Sequence, residues 1–419
     1  MFPPNPYHPS RDKIYVPCAF AGRGAAYRHL HGHLGDVTAP HAAVFLGGPH
    51  IGKSALLWHF GTYFEAQRLG VYVPLASENT LGEGVLWQLL ASAVYAALDR
   101  ADLTALRVPS PTDAPDDASA QAWFTDIFLP EVLVAVRPHR QVVLLLDDAE
   151  ALLDEAETVK ALSDLLAAQP QFAMALTLME DYELELPRLQ PLVIPTEAYR
   201  LGPLPQQATA RLLEMSPAFS TNAETRASVQ RFSGGQPLLV QWFGYLLHER
   251  AELDTNYITA DAVKALVPRL LVRTDEALRE QWSQLSGNER LVLAAASQRL
   301  YDNPLRPVPP AAVARWLAET DNLLSETTVR AALRGLEYHH LIHHEGEGVR
   351  VTVGLMQTWL VSGKHISQTA PPPRRAWLLA LAVALLAALL LWGAMSLLPQ
   401  QEAAPRPPAA TVTLASPAG

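Results

Sequence analysis

The residues Gly47-Gly-Pro-His-Ile-Gly52-Lys53-Ser54 follow an apolar run, Ala42–Leu46, and open a stretch of helical periodicity, Lys53–Phe64. The spacing GxxxxGK[ST] between a strand and a helix is the P-loop pattern, and it dictates a parallel α/β sheet around itself. Its glycines let successive backbone N–H groups turn inward and hold phosphate oxygens. The helix that follows directs its positive end at the same anion. Lys53 then reaches the β- and γ-phosphates of a nucleotide, and the Ser54 hydroxyl coordinates Mg²⁺. Gly47, Gly48, Pro49, His50, Ile51, Gly52, Lys53 and Ser54 are the expected binding residues, for ATP with Mg²⁺.

A second element fits the first. Val142-Val-Leu-Leu-Leu146-Asp147-Asp148 is an apolar run ending in two carboxylates. A central parallel strand reads this way, because both of its faces are covered. Its C-terminal end faces the ligand crevice. Asp147 is the expected Mg²⁺ ligand, directly or through water. Asp148 is expected to orient an attacking water, with Glu150 next in line. Alternatively, Asp148 and Glu150 cap the helix Ala149–Ala168, where anions are favoured.

Strands are expected at Ala42–Leu46, Val71–Leu75, Val142–Asp147, Phe172–Leu178 and Tyr199–Leu201. Helices alternate with them at Lys53–Phe64, Leu81–Leu98, Ala120–Val136 and Glu150–Ala168, which is the βαβ signature. Val108–Ala118 reads as a surface loop. The division is then an irregular segment, 1–19, a P-loop NTPase core, 20–203, and a helical lid, 204–285. A third region, 286–362, has three helices and a hairpin, the winged-helix order. Its first helix opens on the capping box Ser286-Gly-Asn-Glu289 and its second on Pro309–Pro310, while its third spans Ser325–Tyr338. Leu341–His344 and Val349–Val353 flank the hairpin turn.

The tail differs in kind. Residues 363–375 form a Pro-rich linker. From Ala376 to Gln401 there is no charge, and Ala376–Leu398 would span about 34 Å as a helix, enough for a hydrocarbon core of roughly 30 Å. Arg374 and Arg375 abut its N-terminal side. The positive-inside rule therefore places the N-terminal bulk in the cytoplasm and the short tail, 399–419, outside. Ala376, Ala380, Ala384 and Ala388 make a small-residue face that can bring two helices together, so a homo-oligomer is considered. The formal net charge of −10 argues against a broadly basic nucleic-acid surface. A single cysteine, Cys18, excludes an intrachain disulfide and Cys-based metal clusters.

Several motifs together resemble one family. Phe20-Ala-Gly22-Arg23 resembles the hhGRE box that opens STAND-class and origin-recognition-like AAA+ ATPases, with Gly24 where that box has Glu. Asp147-Asp148 resembles the hhhhDD form of STAND proteins. Tyr199–Leu204 resembles the end of their nucleotide domain. Phe232-Ser-Gly234-Gly235-Gln-Pro237 resembles their GxP motif, and a winged helix follows in the same order. The resemblance covers about residues 15–360. It implies that Phe20 and Arg23 line the adenine pocket and that Pro237 closes it. These ATPases place a polar sensor or an arginine after the fourth strand. Here Thr177 is the only sensor candidate, and no arginine occurs before Arg188. Slow hydrolysis is therefore expected, since an arginine finger contributes about 10³–10⁵ in rate.

The function these features imply is a membrane-anchored signalling switch that binds ATP and hydrolyses it slowly, with a protein partner the sequence does not identify. One alternative is a membrane-tethered DNA-binding ATPase of origin-recognition type. Thr327, Thr328, Arg330 and Arg334 would then face DNA, but the wing Glu345-Gly-Glu347-Gly is acidic and repels phosphate. Another is a nucleotide-binding scaffold without turnover. His339, His340, His343 and His344 cluster in sequence without metal-ligand spacing, and read as a solvated wing base.

Overall fold

The computed structural model describes residues 3–9, 20–35, 41–60, 68–75, 84–103, 108–117, 119–136, 141–253, 256–300, 306–320, 322 and 324–362. The membrane span expected at Ala376–Leu398, its linker and its tail lie outside the described residues. Among the described residues no helix is long and apolar enough to cross a membrane.

The apolar runs form one sheet. Its strands are β1 (Ala43–Gly47), β2 (Arg68–Pro74), β3 (Gln141–Asp147), β4 (Phe172–Met179) and β5 (Tyr199–Arg200). They are parallel, in the order β2-β3-β4-β1-β5. Period-2 alternation divides their side chains between two cores. Val44, Leu46, Leu144, Leu146, Leu176 and Leu178 pack on one face with helices Val85–Arg100 and Ala156–Ala168. Ala43, Phe45, Val143, Leu145 and Ala175 pack on the other with helix Gly24–Gly35 and the short helix Lys53–Trp58. Because β1 and β3 both flank β4 in parallel, their carboxyl ends open at one edge of the sheet.

The helical expectations need adjustment. The stretch expected at Ala120–Val136 carries a π-turn, Phe124–Phe128, where Trp123, Phe124 and Phe128 pack ring against ring. The stretch expected at Glu150–Ala168 is broken. A short 3₁₀ turn, Ala149–Leu152, precedes a helix that starts only at Ala156. Asp148 and Glu150 therefore do not cap that helix. The loop Val108–Ala118 contains one 3₁₀ turn, Pro111–Asp113. Helix Gly24–Gly35 was not expected at all.

The region 204–285 is not purely helical. Helices Gln206–Glu214, Ala223–Ser233, Pro237–Leu253 and Ala260–Gln284 are joined by a two-residue parallel pair, Ser220–Thr221 with Tyr257–Ile258. Beyond it come helices Gly287–Leu300, Pro310–Glu319 and Glu326–Tyr338 and a hairpin, Ile342–Glu345 with Gly348–Val351. The capping box is present. The backbone N–H of Ser286 donates to Glu289 Oε2 at 2.7 Å and that of Glu289 to Ser286 Oγ at 3.3 Å. A further helix, Gly354–Ser362, follows the hairpin and lies against the long helix Ala260–Gln284, with Trp359 Nε1 donating to Asp275 Oδ1 at 2.8 Å. Residues on both sides of position 285 share one continuous hydrophobic core. That core also contains Tyr7, from the N-terminal segment.

Candidate functional site

A cleft of about 300 Å³ opens at the carboxyl edge of the sheet, between it and the helical region. That is the lower end of the size range of small-ligand sites. The P-loop forms its floor. After β1 the chain turns through His50 (φ 58) and Gly52 (φ 91), both in the left-handed region. Pro49, His50, Gly52, Lys53 and Ser54 line the cleft. Gly48 and Ile51 lie on the other side of the loop, toward a small cavity beside Glu180 and His339. Lys53 Nζ donates to the carbonyls of Gly47 (3.0 Å) and Gly48 (3.3 Å) and touches Met179 Sδ (2.9 Å). Burial lowers the pKa of this ammonium, and the carboxylates of Glu150, Asp148, Asp147 and Glu180 oppose that shift.

Arg23 braces the loop from behind. Its guanidinium donates to the Ile51 carbonyl and to the Gly202 carbonyl at 2.7 Å. Burial pulls its pKa down to about 10. It is not among the residues lining the cleft, so its expected place in the adenine pocket gives way to one beneath the phosphate loop. The cause is that two backbone carbonyls take up its planar fork of donors.

Of the carboxylates that end and follow β3, Asp148 lines the cleft and Asp147, immediately before it in sequence, is buried. Asp147, at the end of β3, is fully buried. Its Oδ2 accepts from the Tyr72 hydroxyl at 2.6 Å and its Oδ1 from the Thr177 hydroxyl at 2.5 Å. Thr177 Oγ1 also accepts the backbone N–H of Asp148 at 3.1 Å. Asp148 has left-handed backbone angles (φ 55, ψ 56), a conformation Asp tolerates better than most residues, and it lines the cleft. Glu150 is occupied otherwise. Its Oε1 accepts the Met179 backbone N–H, tying the ends of β3 and β4, and burial raises its pKa.

The remaining walls are mainly aromatic and aliphatic, with His59, His8, Gln241 and Glu280 among them. Phe20 stacks on His59, with centroids 4.4 Å apart and planes 20° apart. Trp58 meets Tyr72 edge to face at 5.6 Å. All four rings line the cleft. Leu204, Leu212, Pro237, Leu238 and Gln241 complete it from the helical region, and His8 and Pro9 from the N-terminal segment. Pro237 abuts the P-loop itself: a Cβ added at Gly52 would lie 3.6 Å from Pro237 Cγ. The turn before it is held by Leu204 N–H donating to the Gly235 carbonyl at 2.7 Å. A side chain at Gly235 (φ 74) would collide with the Leu204 carbonyl, so only glycine fits there.

Of the residues expected from the sequence, Pro49, His50, Gly52, Lys53, Ser54, Asp148, Phe20 and Pro237 line one cleft, whereas Asp147 is buried and is not part of its lining. Sequence reasoning missed Tyr72, Trp58, His59 and His8, each of which carried no signal beyond an aromatic or histidine near a strand or helix. Arg188 pairs with Asp154 and Glu185 away from the cleft. No arginine is among the described residues that line it. The four C-terminal histidines diverge: His339 Nδ1 meets Glu180 Oε1 at 2.7 Å, His340 packs near Gly202, and His343 and His344 lie near Glu345 and Glu337. Among the described residues no metal-binding group of three such side chains forms.

No family model matches the chain, and no curated protein matches it. Solved structures do. The Walker-type ATPase PABY2304 of Pyrococcus abyssi is similar at 14% identity with a TM-score of 0.53, over 83% of this chain and 99% of that one. The Orc1 protein of Aeropyrum pernix in complex with DNA matches at 16% identity and a TM-score of 0.40, over 86% of this chain and 97% of that one. The first likeness is one of fold, and the second is too weak to add to it. With the strand order and the loop geometry, the first likeness supports a core that is a P-loop NTPase-like parallel sheet.

Proposed function

We propose that the chain is an ATP-binding regulatory switch of STAND type, hydrolysing slowly and held at a membrane by residues 376–398. The observation that carries the reading is the composition of the cleft: the phosphate loop, Asp148 and an aromatic wall from the sheet domain, and Pro237, Leu238 and Gln241 from the helical lid. A nucleotide held there touches both bodies, so it biases how they sit against each other. Lys53 exchanges its own loop carbonyls for phosphate oxygens. Ser54 and Asp147 offer the hard oxygen donors that Mg²⁺ takes, and the ion when bound neutralises charge developing on the phosphates. Tyr72 and Thr177 orient Asp147 for that task, while Asp148 positions a water. Turnover is slow because no arginine is among the described residues that line the cleft, and a scaffold without turnover is separated from this reading by phosphate release alone.

The region 286–362 is read as a winged helix that packs on the core rather than on DNA. Arg330 is paired with Glu326 at 2.6 Å and Arg350 with Glu345 at 2.5 Å, so these arginines carry little free charge toward phosphates. The uncharged span and the Arg374–Arg375 pair support a single-pass anchor with the N-terminal bulk in the cytoplasm. Self-association through the small-residue face of that span belongs to the same reading. Titration calorimetry with Mg-ATP tests the core of it. Lys53→Ala is expected to abolish binding while leaving the fold intact, and an unchanged affinity in that variant rejects the nucleotide site.

A further inference from the structure

The segment Pro3–Pro9 has no regular secondary structure, yet it is fixed to the helical region along most of its length. Tyr7 is fully buried there, more than 200 positions in sequence from its partners. Its hydroxyl donates to the carbonyls of Leu212 at 3.1 Å and Leu213 at 2.9 Å, at the end of helix Gln206–Glu214. Its ring presses on Gly244 in helix Pro237–Leu253, where a Cβ would lie 2.5 Å from it, and stacks near Phe219 at 6.4 Å. His248, on the same helix, donates from Nε2 to the Pro3 carbonyl at 3.1 Å and meets Ser216 Oγ through Nδ1 at 2.9 Å. Asn5 Nδ2 donates to the Tyr245 carbonyl at 3.4 Å, and its Oδ1 accepts the Tyr7 N–H at 3.0 Å. One aromatic anchor thus clasps two helices that the chain connects only through a third.

The two residues after the anchor, His8 and Pro9, line the cleft. So does Leu212, whose carbonyl holds Tyr7. The cleft is lined by two chemistries: polar groups, Lys53, Ser54, Asp148 and Glu280 among them, and aromatic rings with the leucines of the helical region. The segment joins the leucine side.

We propose that residues 3–9 are a clip: Tyr7 locks the N-terminal segment onto the lid, and His8 and Pro9 make a wall for the purine-ribose part of the ligand. This rests on the nucleotide reading of the cleft. The phosphates gain nothing from the clip, whereas the base does, and the lid keeps its place only while Tyr7 is seated.

The test uses the full-length chain in three forms, wild type, Tyr7→Ala and His8→Ala, with Mg-ATP and Mg-tripolyphosphate as probes. Backbone hydrogen exchange of residues 204–253 is followed alongside, because exchange reports local opening. Tyr7→Ala is expected to accelerate exchange at Gln206–Glu214 and Pro237–Leu253 without ligand, and to weaken ATP about ten-fold, a loss of roughly 1.4 kcal/mol. His8→Ala, at an exposed residue, is expected to weaken ATP several-fold with exchange unchanged. Tripolyphosphate affinity should be the same in all three. Equal losses for ATP and tripolyphosphate, or wild-type ATP affinity in both variants, overturn the base wall. Unchanged exchange in Tyr7→Ala overturns the clip. If wild type binds neither probe, the nucleotide reading itself fails and the base wall falls with it, while the exchange result still decides the clip.

Discussion

Thr177→Val isolates what holds the buried Asp147 carboxylate in place. The substitution keeps the shape of a fully buried side chain and deletes its hydroxyl. Two hydrogen bonds go with it: the one donated to Asp147 Oδ1 at 2.5 Å and the one accepted from Asp148 N–H at 3.1 Å. The first is charge-assisted and the second leaves a backbone donor unmatched at the end of a buried strand. Together they predict a loss of about 3 kcal/mol in stability. Thr177→Ser keeps the hydroxyl and deletes one methyl, so it should cost only about 1 kcal/mol. Urea unfolding of the wild type and both variants reads the difference. In the ligand assay Thr177→Val should weaken Mg-ATP about ten-fold and leave metal-free ATP unchanged, because Lys53 and the loop are untouched. The reasoning is refuted if valine and serine behave alike, or if valine weakens ATP equally with and without Mg²⁺.

Three further outcomes follow from the structure. Asp148→Asn should lower phosphate release at least ten-fold while Mg-ATP affinity stays within about two-fold, measured by steady-state turnover and calorimetry on one preparation. The His339 side chain, hydrogen-bonded to Glu180 with the charges of Glu289 and Asp181 nearby, has its pKa raised above the ordinary 6.5. Its stabilising contribution is therefore complete below pH 6.5 and lost as pH rises through the raised value, so exchange at Glu180–Leu189 should quicken over that rise in wild type and show no such step in Glu180→Gln. A chain ending at Gly363 should remain in a high-speed supernatant without detergent, whereas the full chain should sediment with membranes.

Strands β1, β3 and β4 were legible because each is an apolar run with no competing period, whereas β2 begins three residues earlier than expected, at Arg68, and β5 is only Tyr199–Arg200. The phosphate loop and Asp147-Asp148 were legible because their spacing is chemical. Helix Gly24–Gly35 escaped notice because GAAYRHLHGHLG is rich in glycine, which disfavours a helix, and in histidine, which blurs the contrast with its apolar stripe. Helix Gly354–Ser362 escaped for the opposite reason: GLMQTWLVS is buried nearly all round and shows no polar stripe. Glu150–Ala168 read as one helix because nothing in its composition betrays the non-helical Glu155 (φ −115, ψ 61) that separates the 3₁₀ turn from the helix. Tyr7 was invisible, since one aromatic among prolines has no period and its partners lie far along the chain. The roles of Tyr72 and Thr177 likewise depend on strand register, which only the folded sheet supplies.

Glu180 joins these findings. It follows β4 and is buried, with its carboxylate beside Gly48 of the P-loop, where a Cβ would lie 3.2 Å from Oε1. The same carboxylate holds His339 at 2.7 Å, and the Glu180 carbonyl accepts the Tyr338 hydroxyl at 3.0 Å. One residue thus has the phosphate loop on one side and the end of helix Glu326–Tyr338 on the other. The C-terminal region shares its core with the helix that carries Pro237, so the two together approach the loop at two separated points, at Gly48 through Glu180 and at Gly52 through Pro237. Under the proposed reading, a triphosphate adds negative charge next to Glu180. Added negative charge favours the imidazolium form of a nearby histidine. It also draws Lys53 toward the ligand, away from the carboxylates it now balances. Both effects tighten the grip of Glu180 on His339, so nucleotide should move the docking transition to higher pH. The coupling then needs no long pathway: the charge that arrives and the contact that responds share a single side chain.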